Sequence, residues 1–175
     1  IESHMGLLDR VKKRWMEASF ETAGTEAFWG RSAATLVLYR DLRRLLAEHA
    51  RGRILDAGAG TMPYRKLVMT WCSEYRALDL EKVHPAIDYV ADVQRMGIPE
   101  ESFDTVLCSE VLEHVPDPLQ ALAECRRVLK PGGKLILSVP FVWYLHNEPN
   151  DYYRYSHHGM DVLLKKAGFR VLVIE

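Results

Sequence analysis

The segment Ile54-Leu55-Asp56-Ala57-Gly58-Ala59-Gly60-Thr61-Met62-Pro63 decides the fold. A short apolar run ends in an aspartate, two glycines follow with one residue between them, and a proline opens the next stretch. Gly58 and Gly60 let the backbone turn sharply and come close to a ligand. Pro63 suits the first turn of a helix, where its missing N–H is one of the orphans anyway. The reading is strand, tight turn, helix. A dinucleotide fingerprint wants a third glycine where Pro63 stands, which disfavours a pyrophosphate seated on the helix end, as in NAD binding.

The same texture continues outward. Apolar runs predict strands at Ile54-Leu55, Tyr75 to Leu80, Tyr89-Val90, Thr105 to Cys108, Leu135 to Val139 and Val171 to Ile174. Helical stretches fall between them at Pro63 to Trp71, Pro118 to Leu129 and Ser156 to Ala167, the last closed by Gly168. Lys130-Pro131-Gly132-Gly133 reads as a tight turn into the fifth strand. Near-continuous apolar strands alternating with helices point to a parallel sheet covered on both faces. The expected class is α/β: a doubly wound, Rossmann-like, mostly parallel sheet over residues 51–175. Residues 5–50 read as an N-terminal helical cap over the cleft. Leu7, Leu8, Val11 and Trp15 fall at helical spacing, with Lys12, Lys13 and Arg14 as a solvated face. From Ser32 a stronger helix carries Leu38, Leu42, Leu45, Leu46 and His49 on one stripe, with Gly52 placed to stop it as a left-handed residue. Ile1-Glu2-Ser3-His4 reads as an expression leftover and is set aside.

Composition narrows the classes further. A chain of 175 residues favours one domain, and 48% hydrophobic with 27% charged residues is a globular balance. Lys and Arg number 23 against 24 Asp and Glu, so no whole-domain basic field exists to hold nucleic acid or anionic lipid. Three cysteines, none in a Cys-x-x-Cys pair, argue against a disulfide framework or a zinc ribbon. No apolar run reaches the ~18 residues of a membrane span. With no signal peptide in view, the expected compartment is cytoplasmic.

In such sheets ligands bind beyond the carboxyl ends of the strands, where the strand order reverses. Asp79-Leu80 follows the second strand, and a carboxylate there is placed to accept both hydroxyls of a ribose. Asp92-Val93 follows the third strand and Ser109-Glu110 the fourth. Acids at successive strand ends mark one shared site. Taken in order, Leu55 to Gly60, Ala77-Leu78-Asp79-Leu80, Ser102 to Val106, Glu110-Val111-Leu112-Glu113-His114-Val115 and Arg127 to Gly133 resemble the class I methyltransferases that use S-adenosyl-L-methionine, of the type 11 kind. The resemblance implies that Asp56, Ala57, Gly58, Ala59 and Gly60 cradle the methionine part of the cofactor. It implies that Asp79, with Leu80 beside it, holds the ribose, that Asp92 and Val93 read the adenine, and that Ser109 and Glu110 line the methyl site. The chemistry agrees: a sulfonium cofactor carries no phosphate, and methyl transfer is an in-line displacement in which positioning supplies ~7–11 kcal/mol.

The family's sheet also places an antiparallel seventh strand between the fifth and sixth. Here the sixth run finishes at Glu175, so residues beyond 175 or another chain are expected to fill that slot.

Pro140 to Tyr155 interleaves Phe141, Trp143, Tyr144, Tyr152, Tyr153 and Tyr155 with His146, Glu148, Asp151 and Arg154. A loop of this kind after the fifth strand is an acceptor pocket or a packing surface against the N-terminal helices. As a pocket, Trp143, Tyr144, Tyr153 and Arg154 bind the acceptor, and Arg154 clamps a carboxylate or phosphate; as scaffold, Arg154 pairs with an acid to close the loop. His146 and His114 are the candidate bases. The run Asp151-Tyr152-Tyr153-Arg154-Tyr155 resembles a subgroup of bacterial methyltransferases associated with cell-surface saccharide synthesis, implying a small-molecule or saccharide acceptor methylated at oxygen or nitrogen. His157 and His158 read as solvated. His146, Asp151 and His157 lack a metal-ligand spacing, so no metal is expected. The alternative to an enzyme is a catalytically silent cofactor-binding or regulatory module of the same fold.

Overall fold

Five parallel strands organise residues 32–175, the part of the chain that the computed structural model describes. They are β1 Arg53–Ala57, β2 Glu74–Asp79, β3 Tyr89–Val90, β4 Phe103–Ser109 and β5 Leu129–Ser138, in the order β3-β2-β1-β4-β5. β1 is central: Asp56 lies opposite Ala77 on one side and Leu107 on the other. The chain steps outward from β1 to β3 and then returns to place β4 on the opposite flank. Winding therefore reverses between β1 and β4, which opens a crevice at their carboxyl ends.

The helices are α1 Ala33–His49, α2 Arg65–Val68, α3 Pro118–Val128 and α4 His157–Lys166, with a 3-10 turn at Leu112–His114. Successive strand residues face opposite sides of the sheet, and both sides are covered. Leu42 and Leu46 of α1 pack with Ile54, Leu107, Ile136 and Val68. On the other face Leu122 and Cys125 of α3 and Met160 of α4 meet Leu55, Val106 and Cys108. The doubly wound Rossmann-like sheet expected from the sequence is present, and Cys108 is fully buried as anticipated. α1 starts on a capping box in which Ser32 and Thr35 exchange side-chain and backbone bonds of 3.1 and 3.2 Å. Asp117 caps α3 by accepting from the Gln120 amide at 3.0 Å, with Pro118 at the first helical position.

Several local expectations need correction. The helix predicted over Pro63 to Trp71 is only Arg65–Val68, because the amides of Thr70 and Trp71 reach back three residues, to Leu67 and Val68, in tighter turns. Gly52 is left-handed (φ 64°) but does not end α1, which stops where the Ala50 amide donates to the Leu46 carbonyl. Gly52 instead allows a close approach: a Cβ there would lie 2.3 Å from Asp104 Oδ2, which accepts from the Arg53 amide. Lys130 to Gly133 is a bulge inside β5, between the pairs Phe103–Leu129 and Thr105–Lys134. Val171 to Ile174 do not form a sixth strand, since a strand extends only as far as its backbone finds a ladder partner. These residues run past α1, where Glu175 pairs with Arg44, and an open groove of about 1750 Å³ separates them from β5. The helix read around Leu7 to Trp15 lies outside the described residues. No described helix is long and apolar enough to cross a membrane.

Leu46 is fully buried between α1 and the sheet. Leu46→Ala is expected to lower unfolding free energy by about 2–5 kcal/mol, read from the denaturant midpoint. A loss under about 1 kcal/mol would mean that α1 is not docked on this face.

Candidate functional site

The crevice is built first by hydrogen bonds between β1 and β2. The Gly58 and Ala59 amides both donate to the Leu78 carbonyl, at 2.8 and 2.9 Å, and the Gly60 amide donates to Asp79 Oδ2 at 2.7 Å. This fold-back requires left-handed backbone at Gly58 (φ 79°), where a Cβ would sit 2.5 Å from Val111 Cγ2. The other Asp79 oxygen accepts only a long bond, 3.3 Å, from the Glu81 amide. Next along the rim, Leu80 is two-thirds exposed. At the end of β3, Asp92 accepts from the Gln94 amide at 2.8 Å and from its side chain, which fixes the turn, while Val93 is buried in the core.

Asp56 lies beneath this rim, 2% exposed, and accepts 2.6 Å from the Tyr75 hydroxyl. Burial pushes its carboxyl up to about 7, opposed by the Tyr75 bond and assisted by the Asp79 charge. Ala57 closes β1 and is fully buried. At the end of β4 the proton order is determined by the acceptors: Ser138 Oγ donates to Glu110 Oε1 at 2.9 Å, so Ser109 Oγ donates to Ser138 Oγ at 2.8 Å. Burial also raises the Glu110 carboxyl.

One turn further on, Glu113 is completely buried with neither carboxyl oxygen hydrogen-bonded among the described residues. Burial, then the Glu110 charge, pushes it up to about 8. Its neighbour His114 shares a 2.6 Å bond with the Asn150 carbonyl, so Nδ1 carries the proton there. His114 Nε2 lies 3.7 Å from Glu113 Oε1, and burial lowers the imidazole pKa.

The segment after β5 folds over this acidic pole. Asp151, its side chain 1% exposed, accepts from the His146 amide at 2.8 Å and from Arg154 at 2.6 and 2.8 Å. The Arg154 bonds hold its carboxyl far below the usual range. All five Arg154 donors are engaged within the segment, the others on the carbonyls of Trp143, Tyr144 and Tyr153. Of its two expected roles, clamping a ligand and closing the loop, this geometry favours the second. Tyr155 and Tyr153 pin the segment through the Leu112 and Pro116 carbonyls, each at 3.0 Å. Trp143 stacks on Tyr144 with ring centroids 5.2 Å apart, both exposed, and His146 meets His114 edge-on at 4.7 Å.

The structure thus gathers Asp56, Gly58 to Gly60, Asp79, Ser109 and Glu110 on one rim, with His114 and His146 beside it. Sequence reasoning missed Glu113 and Ser138. Glu113 was visible only as a charge between Leu112 and Val115, two apolar residues whose burial draws the turn into the core. His146, Asp151 and His157 lack a metal-ligand spacing in the sequence, whereas the fold brings His146 together with Glu113 and His114.

Residues 55–137 match the family described as a methyltransferase domain. A ubiquinone biosynthesis O-methyltransferase from Xanthomonas euvesicatoria pv. vesicatoria is 37% identical across 52% of this chain and 44% of that protein. Another of the same name from Saccharophagus degradans is 33% identical across 57% of this chain and 47% of its own length. The chain therefore spans less than half of these relatives. A SAM-dependent methyltransferase from Archaeoglobus fulgidus shares the fold with a TM-score of 0.65 at 18% identity, over 89% of this chain and 74% of that one.

The Asp56 shift has a measurable consequence. The folded state holds this proton more tightly than the unfolded chain, so stability is fullest below pH ~4 and falls as pH rises through about 7. At ~1.4 kcal/mol per unit the contribution reaches up to ~4 kcal/mol. Denaturation of the ligand-free protein between pH 4 and 8 should show Asp56→Asn flattening this decline. An unchanged pH slope would mean that Asp56 ionises as freely in the fold as in the unfolded chain.

Proposed function

We propose that this chain, whose residues 55–137 match a methyltransferase domain, is a class I, S-adenosylmethionine-dependent methyltransferase that methylates a hydroxyl oxygen of a small molecule. The observation that carries this reading is the hydrogen-bonded unit of Gly58, Ala59 and Gly60 on Leu78 and Asp79 at the switch point. It fits the cofactor because the left-handed Gly58, packed against Val111, sets the loop at the crevice and Asp79 keeps a weakly engaged oxygen on the rim. When bound, the cofactor supplies a methyl group already activated on a sulfonium.

The residues of this chain divide the remaining work. Asp56 to Gly60 would hold the methionine part, Asp79 and Leu80 the ribose, Asp92 and Val93 the adenine side, and Ser109 and Glu110 the methyl end. Glu110 is oriented by Ser138, so the position of its carboxyl is set before a ligand arrives. The acceptor enters under the Trp143–Tyr144 pair, whose exposed faces suit a flat ring. Its hydroxyl proton leaves toward the imidazoles. His114, kept neutral by burial and protonated on Nδ1, offers Nε2. In His146, Nδ1 lies 3.3 Å from Asp151 Oδ2, an orientation that leaves its other nitrogen to accept. The small-molecule O-methyltransferases among the relatives support an oxygen acceptor; nothing among them supports a saccharide in particular.

Calorimetry with S-adenosylmethionine tests the cofactor half. Asp79→Ala removes hydrogen bonds to a charged acceptor, each worth ~1.5–3 kcal/mol, so affinity should fall roughly ten- to a hundredfold. Equal affinity in the variant would take Asp79 out of the site. Labelled-methyl transfer to a panel of hydroxylated aromatic acceptors tests the other half, and cofactor binding without transfer to any of them would favour a silent binding module.

A further inference from the structure

We propose that Glu113, His114 and His146 form a binding site for a divalent transition-metal ion of the Zn²⁺ or Co²⁺ class. One ligand atom from each residue lies within 4.8 Å of the other two. A tetrahedral ion with ~2.0–2.2 Å bonds separates its ligands by about 3.3 Å, a contraction within reach of side-chain rotation. The 3.7 Å between His114 Nε2 and Glu113 Oε1 is already near it.

Three independent features aim this cluster at a cation. Glu113 is fully buried, yet both of its oxygens lack a hydrogen-bond partner among the described residues, and a buried carboxyl without partners calls for either a proton or a cation. The nearest fixed cation, Arg154, directs all five donors elsewhere. Glu113 is also within electrostatic reach of the Glu110 and Asp151 carboxyls, with Arg154 the permanent positive charge acting on it among the described residues. Both imidazoles are also oriented as metal ligands are. His114 Nδ1 donates to the Asn150 carbonyl, and His146 Nδ1 sits between Asp151 Oδ2 at 3.3 Å and the Tyr144 carbonyl at 3.2 Å. Carbonyl and carboxylate partners of this kind fix the tautomer of a ligating histidine and raise its basicity.

Two nitrogens and one carboxylate oxygen, with no thiolate, suit Zn²⁺, Co²⁺ or Fe²⁺ more than Ca²⁺ or Mg²⁺. Three protein ligands leave coordination positions open, as catalytic sites do and structural ones do not. Under the methyl-transfer reading, on which this role alone rests, a hydroxyl bound at an open position loses its proton more readily because the ion stabilises the alkoxide or phenolate. The imidazoles then hold the ion, and the released proton passes to solvent water. Metal binding itself does not depend on that reading.

The test uses the chelator-stripped chain, titrated with Co²⁺ by visible absorption and with Zn²⁺ by calorimetry. One ion per chain is expected. Glu113→Gln preserves volume and His146→Ala removes a partly exposed side chain; each should weaken binding at least a hundredfold while circular dichroism stays native. The double substitution of His157 and His158 by Ala, whose rings stand 3.9 Å apart on α4 and offer a rival surface site, should leave affinity unchanged. Absence of a stoichiometric ion, undiminished affinity in Glu113→Gln and His146→Ala, or loss of binding only in the His157/His158 variant would each overturn the site. The Co²⁺ spectrum of the wild-type chain decides the matter even if a variant fails to fold, because an N,O-ligated tetrahedral centre absorbs intensely and a solvated ion does not. Calorimetry with S-adenosylmethionine runs in parallel. Metal binding without cofactor binding overturns methyl transfer and leaves this site standing; the converse overturns the site alone.

Discussion

Two amides on one carbonyl set the geometry on which the candidate site depends. Gly58 and Ala59 both donate to Leu78, and the Gly60 amide holds Asp79. The loop after β1 is thereby tied to the end of β2 before any ligand is present. A left-handed Gly58 with no Cβ is the condition, since Val111, at the start of the next rim segment, occupies the space a side chain would need. Loop, rim carboxylate and the β4 exit are fitted to one another through that contact. Such prior fixing lowers the ordering entropy that a ligand would otherwise have to offset on binding.

A second set of bonds closes the other side. Asp151 serves as a hub for the His146 amide and the Arg154 guanidinium, and Arg154 in turn gathers the carbonyls of Trp143, Tyr144 and Tyr153. Tyr155 and Tyr153 fasten this knot to the chain that follows β4. The polar residues of the segment thus work mainly on one another, and what they present outward is aromatic surface and imidazole. A loop shaped by its own buried ion pair keeps His146 against His114 without drawing on the sheet for support.

The sheet was legible because its signals are local. Apolar runs marked the five strands, Pro118 marked the start of α3, and acids at successive run ends marked the rim. Register-dependent features were not legible. Whether Val171 to Ile174 pair depends on a partner edge, which their own composition does not encode. The bulge at Lys130 to Gly133 looked like a turn because turn and bulge use the same left-handed glycine chemistry. In the site, residue types predicted the rim, but Glu113 was hidden because its importance comes from tertiary burial of a 3-10 turn. Arg154 was ambiguous for a related reason: sequence shows that a guanidinium is available and not how many of its donors are already used.

The distribution of charge links the two sides of the site. The whole chain is nearly neutral, at −1, yet Asp56, Asp79, Glu110 and Glu113 crowd one end of the sheet. Lys and Arg residues that balance them elsewhere do so across solvent, where screening over ~8–10 Å leaves little attraction. Burial pushes Asp56 and Glu113 toward their neutral forms, and the neighbouring Asp79 and Glu110 charges add to it. Carboxyls concentrated this way favour whatever positive charge enters the crevice, because an arriving cation takes the place of the protons that keep them neutral. A sulfonium on the β1 side and a divalent ion beside Glu113 would answer the same imbalance at two places. Their binding should be mutually dependent: like charges repel directly, while each also fixes neighbouring carboxylates in the ionised form that attracts the other.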